Sequence, residues 1–123
     1  MMDLGFAGQR ILGHEFGYTI AFTVSGGYEV RVESPMRVRT HGIEYDVQPG
    51  ADGGEAALDA LTGDEVTAAV AEESGALRID LNGGSRVVVS ADPQFEAWTV
   101  AGPAGFKVVC GPGGDLSEWT ARL

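Results

Sequence analysis

One local pattern occurs twice in this chain and restricts the fold more than any other feature. Phe22-Thr-Val-Ser-Gly-Gly-Tyr-Glu-Val-Arg-Val-Glu-Ser-Pro35 returns as Ile79-Asp-Leu-Asn-Gly-Gly-Ser-Arg-Val-Val-Val-Ser-Ala-Asp92. With Gly26-Gly27 set on Gly83-Gly84, Phe22 and Val24 meet Ile79 and Leu81, and Val30 and Val32 meet Val87 and Val89. Alternating apolar residues on both sides of a Gly pair encode two half-buried strands and the positive φ of a tight hairpin turn. A shorter echo precedes each copy, Gly8-Gln-Arg-Ile11 and Gly63-Asp-Glu-Val66. The expected fold is therefore mainly β. Two repeated antiparallel units, about 8–48 and 63–100, form a sandwich or open barrel with one short helix and a C-terminal hairpin or lid at 101–123. A chain of 123 residues suits one such domain.

Alternation places Tyr18, Ile20, Phe22 and Val24 on one face, then Tyr28, Val30 and Val32, then Ile43, Tyr45 and Val47. Residues 1–7 read as a loosely held start, and Gly13 as the break after a short strand from Gln9 to Leu12. Met36-Arg-Val-Arg39 reads as a short edge strand with Arg37 and Arg39 outward. Glu55 to Leu61 is rich in Ala and Leu, lacks β-branched residues and is the expected helix, closed by Gly63. Asp64 to Glu73 is ambiguous: its propensity is helical, while its alternation and its place in the repeat favour a strand, and sheet pairing outweighs propensity. Leu116 and Trp119 read as a helical turn over the core.

Charge narrows the function classes. The net charge is −10, and residues 44–96 hold twelve of the 18 acids against only Arg78 and Arg86. Phosphate-backbone binding needs the opposite sign, so no nucleic-acid partner is expected. An acidic face instead speeds association with a basic protein. On that ground Glu44, Tyr45, Asp46, Glu72, Glu73 and Asp80 are the candidate partner-binding residues, the acids as rim charges and Tyr45 as anchor; a merely solubilising role for the acids is the plainer alternative. No apolar run is long enough for a membrane span, and the start lacks the basic and apolar regions of a signal peptide. A single cysteine, Cys110, rules out an internal disulfide and a cysteine-built zinc site. A cytoplasmic protein is expected.

No residue set declares a chemistry. His14 and Glu15 are adjacent, and neighbours on a strand point to opposite faces, so they make a thin metal or acid–base pair. His41 precedes a glycine in a turn. Cys110 ends an apolar strand, the usual place of a buried inert thiol. There is no Gly-x-Ser-x-Gly, and Gly111-Pro-Gly-Gly114 lacks the Lys and the strand–loop–helix setting of a phosphate loop. Trp98 and Trp119 are core residues or, alternatively, interface anchors. The expectation is a non-catalytic module without cofactor or metal.

Asp92-Pro93, Phe95-Glu-Ala-Trp98, Gly102-Pro103, Val108-Val-Cys-Gly-Pro-Gly-Gly114, Leu116 and Trp119 together resemble an uncharacterised, mainly actinobacterial family of small proteins, domain of unknown function 6188. Gly63, Val66, Gly75, Leu77 and Gly83-Gly84 also suit it, while Phe95 stands where a Tyr is expected. No activity is established for the family, so the resemblance implies a small bacterial cytosolic protein and transfers no catalytic residues. In character such acidic proteins are similar to immunity proteins, which neutralise basic toxins. Two other readings stand beside a protein-binding module: a small-molecule-binding β domain or weak enzyme with a pocket between the repeats near His14, Glu15 and Trp98, and a homodimer joined through edge strands such as Met36–Arg39.

Overall fold

A computed structural model describes residues 1–122. The strands are β1 (Met2–Asp3), β2 (Ile11–Phe16), β3 (Ile20–Val24), β4 (Tyr28–Val32), β5 (Met36–Thr40), β6 (Ile43–Val47), β7 (Val66–Ala71), β8 (Leu77–Leu81), β9 (Arg86–Val89), β10 (Trp98–Ala101), β11 (Lys107–Cys110) and β12 (Leu116–Trp119). A single short helix, α1 (Glu55–Asp59), lies between β6 and β7. The strands form two six-stranded antiparallel sheets, ordered β1-β7-β8-β9-β5-β6 and β12-β11-β10-β4-β3-β2. The inward residues of both sheets make one core, so the fold is a β-sandwich.

The connectivity of the two halves matches. In the first, β2-β3-β4 form a meander in one sheet and the β5-β6 hairpin crosses to the other, beside β9. In the second, β7-β8-β9 form the meander and β10-β11 cross back beside β4. Each half thus completes the sheet of the other. The start of each half clasps its counterpart around the Arg10↔Glu65 bridge. Gly8 N–H donates to the Val66 carbonyl as Gly63 N–H donates to Ile11, and Ile11 N–H donates to Asp64 as Val66 N–H donates to Gln9. Ser25 and Asn82 then repeat one role, each side-chain oxygen accepting from the backbone N–H of Arg10 and Glu65 respectively. Register shifts follow at the same point of each copy, between Ile11 and Gly13 and between Val66 and Ala68. The matching pattern runs on to Cys110, beyond residue 100, because β10-β11 stands to β4 as β5-β6 stands to β9.

Both Gly-Gly turns have the expected positive φ, 81° and 87° at Gly26 and Gly27 and 83° and 93° at Gly83 and Gly84. Residues 66–71 are a strand, held between β1 and β8, where ladder hydrogen bonds outweigh helical propensity. The helix is shorter than the 55–61 expected, but Ala57, Leu58 and Leu61 are buried as its spacing requires.

Several expectations are corrected. The start is anchored: β1 pairs with β7, Leu4 N–H donates to Ala69, and Leu4 and Phe6 are wholly buried. Gly13 does not break β2, which runs through it after the bulge. Tyr18 leaves the inward face because the chain is already turning between Phe16 and Ile20; it is 93% exposed and its ring lies beside Gly50. Leu116 to Trp119 is a strand pairing with β11, and Trp119 stacks on the outer face under Lys107 Nζ, 5.7 Å from the ring centroid. Finally, β5 is an interior strand between β9 and β6, so Met36–Arg39 offers no edge for a dimer.

Candidate functional site

The outer face of the sheet containing β5 and β6 is built by strict alternation. Met36, Val38 and Thr40 point inward and are buried; Arg37 and Arg39 therefore point out. The same logic turns Glu44 and Asp46 on β6, Arg86 and Val88 on β9, and Arg78 and Asp80 on β8 to this face. Register sets them in two rows across the strands. One reads Val70, Arg78, Val88, Arg37, Asp46; the other reads Ala68, Asp80, Arg86, Arg39, Glu44. Four of the eight cationic residues of an acidic protein thus share one face.

Three of the four arginines are paired. Arg86 Nε donates to Asp80 Oδ1 at 2.6 Å. Arg78 lies between Asp80, 3.4 Å from Nε, and Glu72, 4.0 Å from Nη1. The 3.4 Å contact is too poorly aligned to be a hydrogen bond, and the buried Arg78 Nε has no other partner. Arg37 Nε is 3.5 Å from Asp46 Oδ1. Arg39 has no carboxylate partner among the described residues, although it stands opposite Glu44 on one side and Arg86 on the other. A shallow groove of about 680 Å³ runs over β5, lined by Arg37, Arg39, Arg86, Glu44, Asp46 and Val88, with Ser34, Gln48, Ser90 and Asp92 also in its wall.

The six residues singled out from sequence do not form one patch. Glu44, Tyr45 and Asp46 lie on β6, the outermost strand. Asp80 is central, three strand spacings or roughly 14 Å away. Glu72 and Glu73 lie in the connection from β7 to β8. Asp46, Glu72 and Asp80 have arginine partners, Arg37 coming from outside the 44–96 segment, so these three acids are not free rim charges. Tyr45 is half-buried on the inner side of β6.

The backbone of β6 is as informative as its side chains. His41 and Gly42, with φ of 51° and 75°, form a two-residue turn joining β5 to β6. In such a hairpin the flanking pair Thr40–Ile43 exchanges hydrogen bonds, as do alternate pairs beyond it, Val38–Tyr45 and Met36–Val47. The N–H and C=O of Glu44 and Asp46 then point away from β5, where no strand pairs with β6. Ile43, at the start of this edge, is 54% exposed.

The other sequence candidates fall elsewhere. His14 Nε2 is 3.6 Å from Asp59 Oδ1 of α1, at one end of the core, with Glu15 on the opposite face of β2. Trp98 is buried three strands away, its indole N–H donating to the Gly75 carbonyl at 2.9 Å. His14, Glu15 and Trp98 therefore share no site. Cys110 Sγ is 3.3 Å from the same carbonyl, and burial, with the Asp115 charge adding to it, raises the thiol above its usual 9.0. A buried thiol so held is a poor nucleophile at neutral pH. Among the described residues no three His, Cys, Asp or Glu side chains gather as a metal site, and no helix is long and apolar enough to cross a membrane.

Residues 2–120 match the family described as a family of unknown function (DUF6188). The chain belongs to this family. No curated protein and no solved structure matches it. Membership covers both halves of the sandwich, including the whole of β5 and β6.

Proposed function

We propose that this DUF6188 protein is a non-catalytic protein-binding module that takes an extended segment of a basic partner onto the free edge of β6. The observation that carries the reading is the β6 edge itself: five residues with no strand on their outer side, presenting the N–H and C=O of Glu44 and Asp46. Strand addition satisfies those groups, and side chains beside them select the partner. Glu44 and Asp46 favour Lys or Arg at alternate positions of the added strand. They also disfavour a second copy of β6, because antiparallel self-pairing about Tyr45 sets Glu44 against Asp46 of the other copy. A module that neutralises a basic toxin, as immunity proteins do, is the biological role this charge pattern suits best.

The test is a proline scan of the edge. Asp46→Pro removes an outward N–H without removing a hydrogen bond to β5, so the fold is expected to survive, checked by the thermal midpoint. Tagged wild-type protein and the variant are exposed to lysate of the source organism, and retained proteins are identified by mass spectrometry. The expected result is a basic polypeptide held by wild type and lost by Asp46→Pro, with Asp46→Lys weakening capture mainly at low salt. Equal retention by all three proteins, or an empty wild-type eluate, contradicts the reading.

A further inference from the structure

Arg39 and Arg86 stand directly opposite each other on β5 and β9. Like charges so placed destabilise a sheet. Asp80 offsets part of this by binding Arg86, but the Arg39 guanidinium has no carboxylate partner among the described residues. The matching connectivity of the two halves supplies an internal control. The position equivalent to Arg39 in the other sheet is Ala101, and that equivalent to Arg86 is Glu29, which pair with each other without conflict. A sandwich that needs neither arginine for its architecture therefore carries both on one face only. The 680 Å³ groove opens over this pair, with Arg37 as the next cation along β5.

We infer that the groove over β5 and β9 is a binding site for a compact oxyanion, a phosphoryl or carboxylate group, held in the fork between Arg39 and Arg86. Guanidinium groups present paired N–H donors that match the oxygens of either anion. The bound charge replaces the repulsion between the two arginines by two attractive contacts. Val88 and the aliphatic stems of the arginines give the rest of a ligand an apolar floor. Asp46 and Glu44 on the β6 side set a negative border, which restricts the site to an anion small enough, or attached to a group positive or neutral enough, to avoid them. The inference goes beyond strand addition at β6 and does not depend on it.

The experiment is an NMR titration of the full chain with inorganic phosphate and, separately, with acetate, following the arginine Nε–H signals at constant ionic strength. Saturable shifts confined to Arg39 and Arg86, with Arg37 next, are expected. A stronger response to phosphate assigns a phosphoryl group, and an equal or stronger response to acetate assigns a carboxylate. Arg39→Gln is expected to weaken binding about tenfold or more, since a charge-assisted pair is lost. Arg39→Lys retains the charge without the fork and is expected to fall between. Arg31→Gln, on the outer face of the other sheet, leaves binding unchanged. Because Arg39→Gln removes a like-charge contact, its thermal midpoint is expected to equal or exceed that of wild type, which separates lost binding from lost fold. Unsaturable shifts spread over all arginines, or unchanged affinity in Arg39→Gln, overturn the inference. The phosphate titration of the wild-type chain requires no captured partner, so a failure of strand addition is distinguishable from a failure here.

Discussion

Trp98→Ala is expected to destabilise the protein by about 5 kcal/mol, the largest effect of any single truncation, because three terms add. The ring is the largest fully buried side chain, and removing such a ring typically costs about 3–5 kcal/mol in transfer and cavity terms. Its N–H donates to the Gly75 carbonyl, which only the weaker Cys110 thiol would then satisfy. That carbonyl also fixes the connection from β7 to β8 against the C-terminal turn. Gly75 and Gly114 pack there so closely that a Cβ built on Gly75 falls 2.5 Å from Gly114 Cα. Trp98→Phe is expected to lose less, about 2 kcal/mol, since it keeps most of the apolar volume. Urea titration of the three proteins checks the ordering. Equal midpoints for Trp98→Ala and Trp98→Phe would show that the ring volume does not hold the turn, and a Trp98→Phe midpoint equal to that of wild type would show the same of the hydrogen bond to Gly75.

Phe6→Ala is expected to cost about 4 kcal/mol, close to Trp98→Ala, although the residue lies at the very start of the chain. Phe6 is wholly buried, and its ring lies 5.5 Å from that of Tyr28 between centroids. Tyr28 in turn meets Phe106 edge-on at 6.4 Å, and its hydroxyl donates to the Gly5 carbonyl at 3.3 Å. The start thereby ties together β7, β4 and the turn after β10. For a domain of this size the loss corresponds to a fall in Tm of roughly 15 °C. A fall of only a few degrees would mean that residues 1–7 contribute little to the core.

How much of this was legible in the sequence depended on the range of the contacts. The hairpins β3-β4 and β8-β9 were readable because alternation and the Gly-Gly turn lie within a few residues. The strand at 66–71 was readable from the repeat and from the alternation of Val66, Ala68 and Val70 against a helical propensity, but the bulge after Val66 turns Ala68 and Val70 outward and buries Ala69 and Ala71 instead. The anchored start was missed because Gly5 splits Leu4 from Phe6 and leaves too short a run to show a period. Leu116 to Trp119 was misread because two apolar residues three apart also suit a helical turn, whereas an open edge on β11 decides for strand. The exchange of hairpins between sheets was invisible, for alternation says which face a residue takes and nothing about which strand lies beside it. That is why Met36–Arg39 read as an edge.

The same limit governs the site. The outward aim of Arg37 and Arg39 followed from alternation, yet their meeting with Arg86 depends on β5 lying beside β9. Counting charge along residues 44–96 therefore suggested an acidic face where the fold interleaves arginines and carboxylates. The repeat alignment carried past Pro35 at a constant offset sets Arg39 on Glu96, and only the strand pairing shows that five extra residues in the second half bring Ala101 to the equivalent place.

Amide hydrogen exchange, read residue by residue along β6 with and without the captured partner, tests strand addition most directly. In the free protein the amides of Ile43, Tyr45 and Val47 are expected to exchange slowly and those of Glu44 and Asp46 fast, because only the former bond to β5. With partner bound, Glu44 and Asp46 are expected to become as slow as their neighbours. If they stay fast while protection rises elsewhere, on β12 or β2 for example, the partner uses another surface and the β6 edge is not the recognition site.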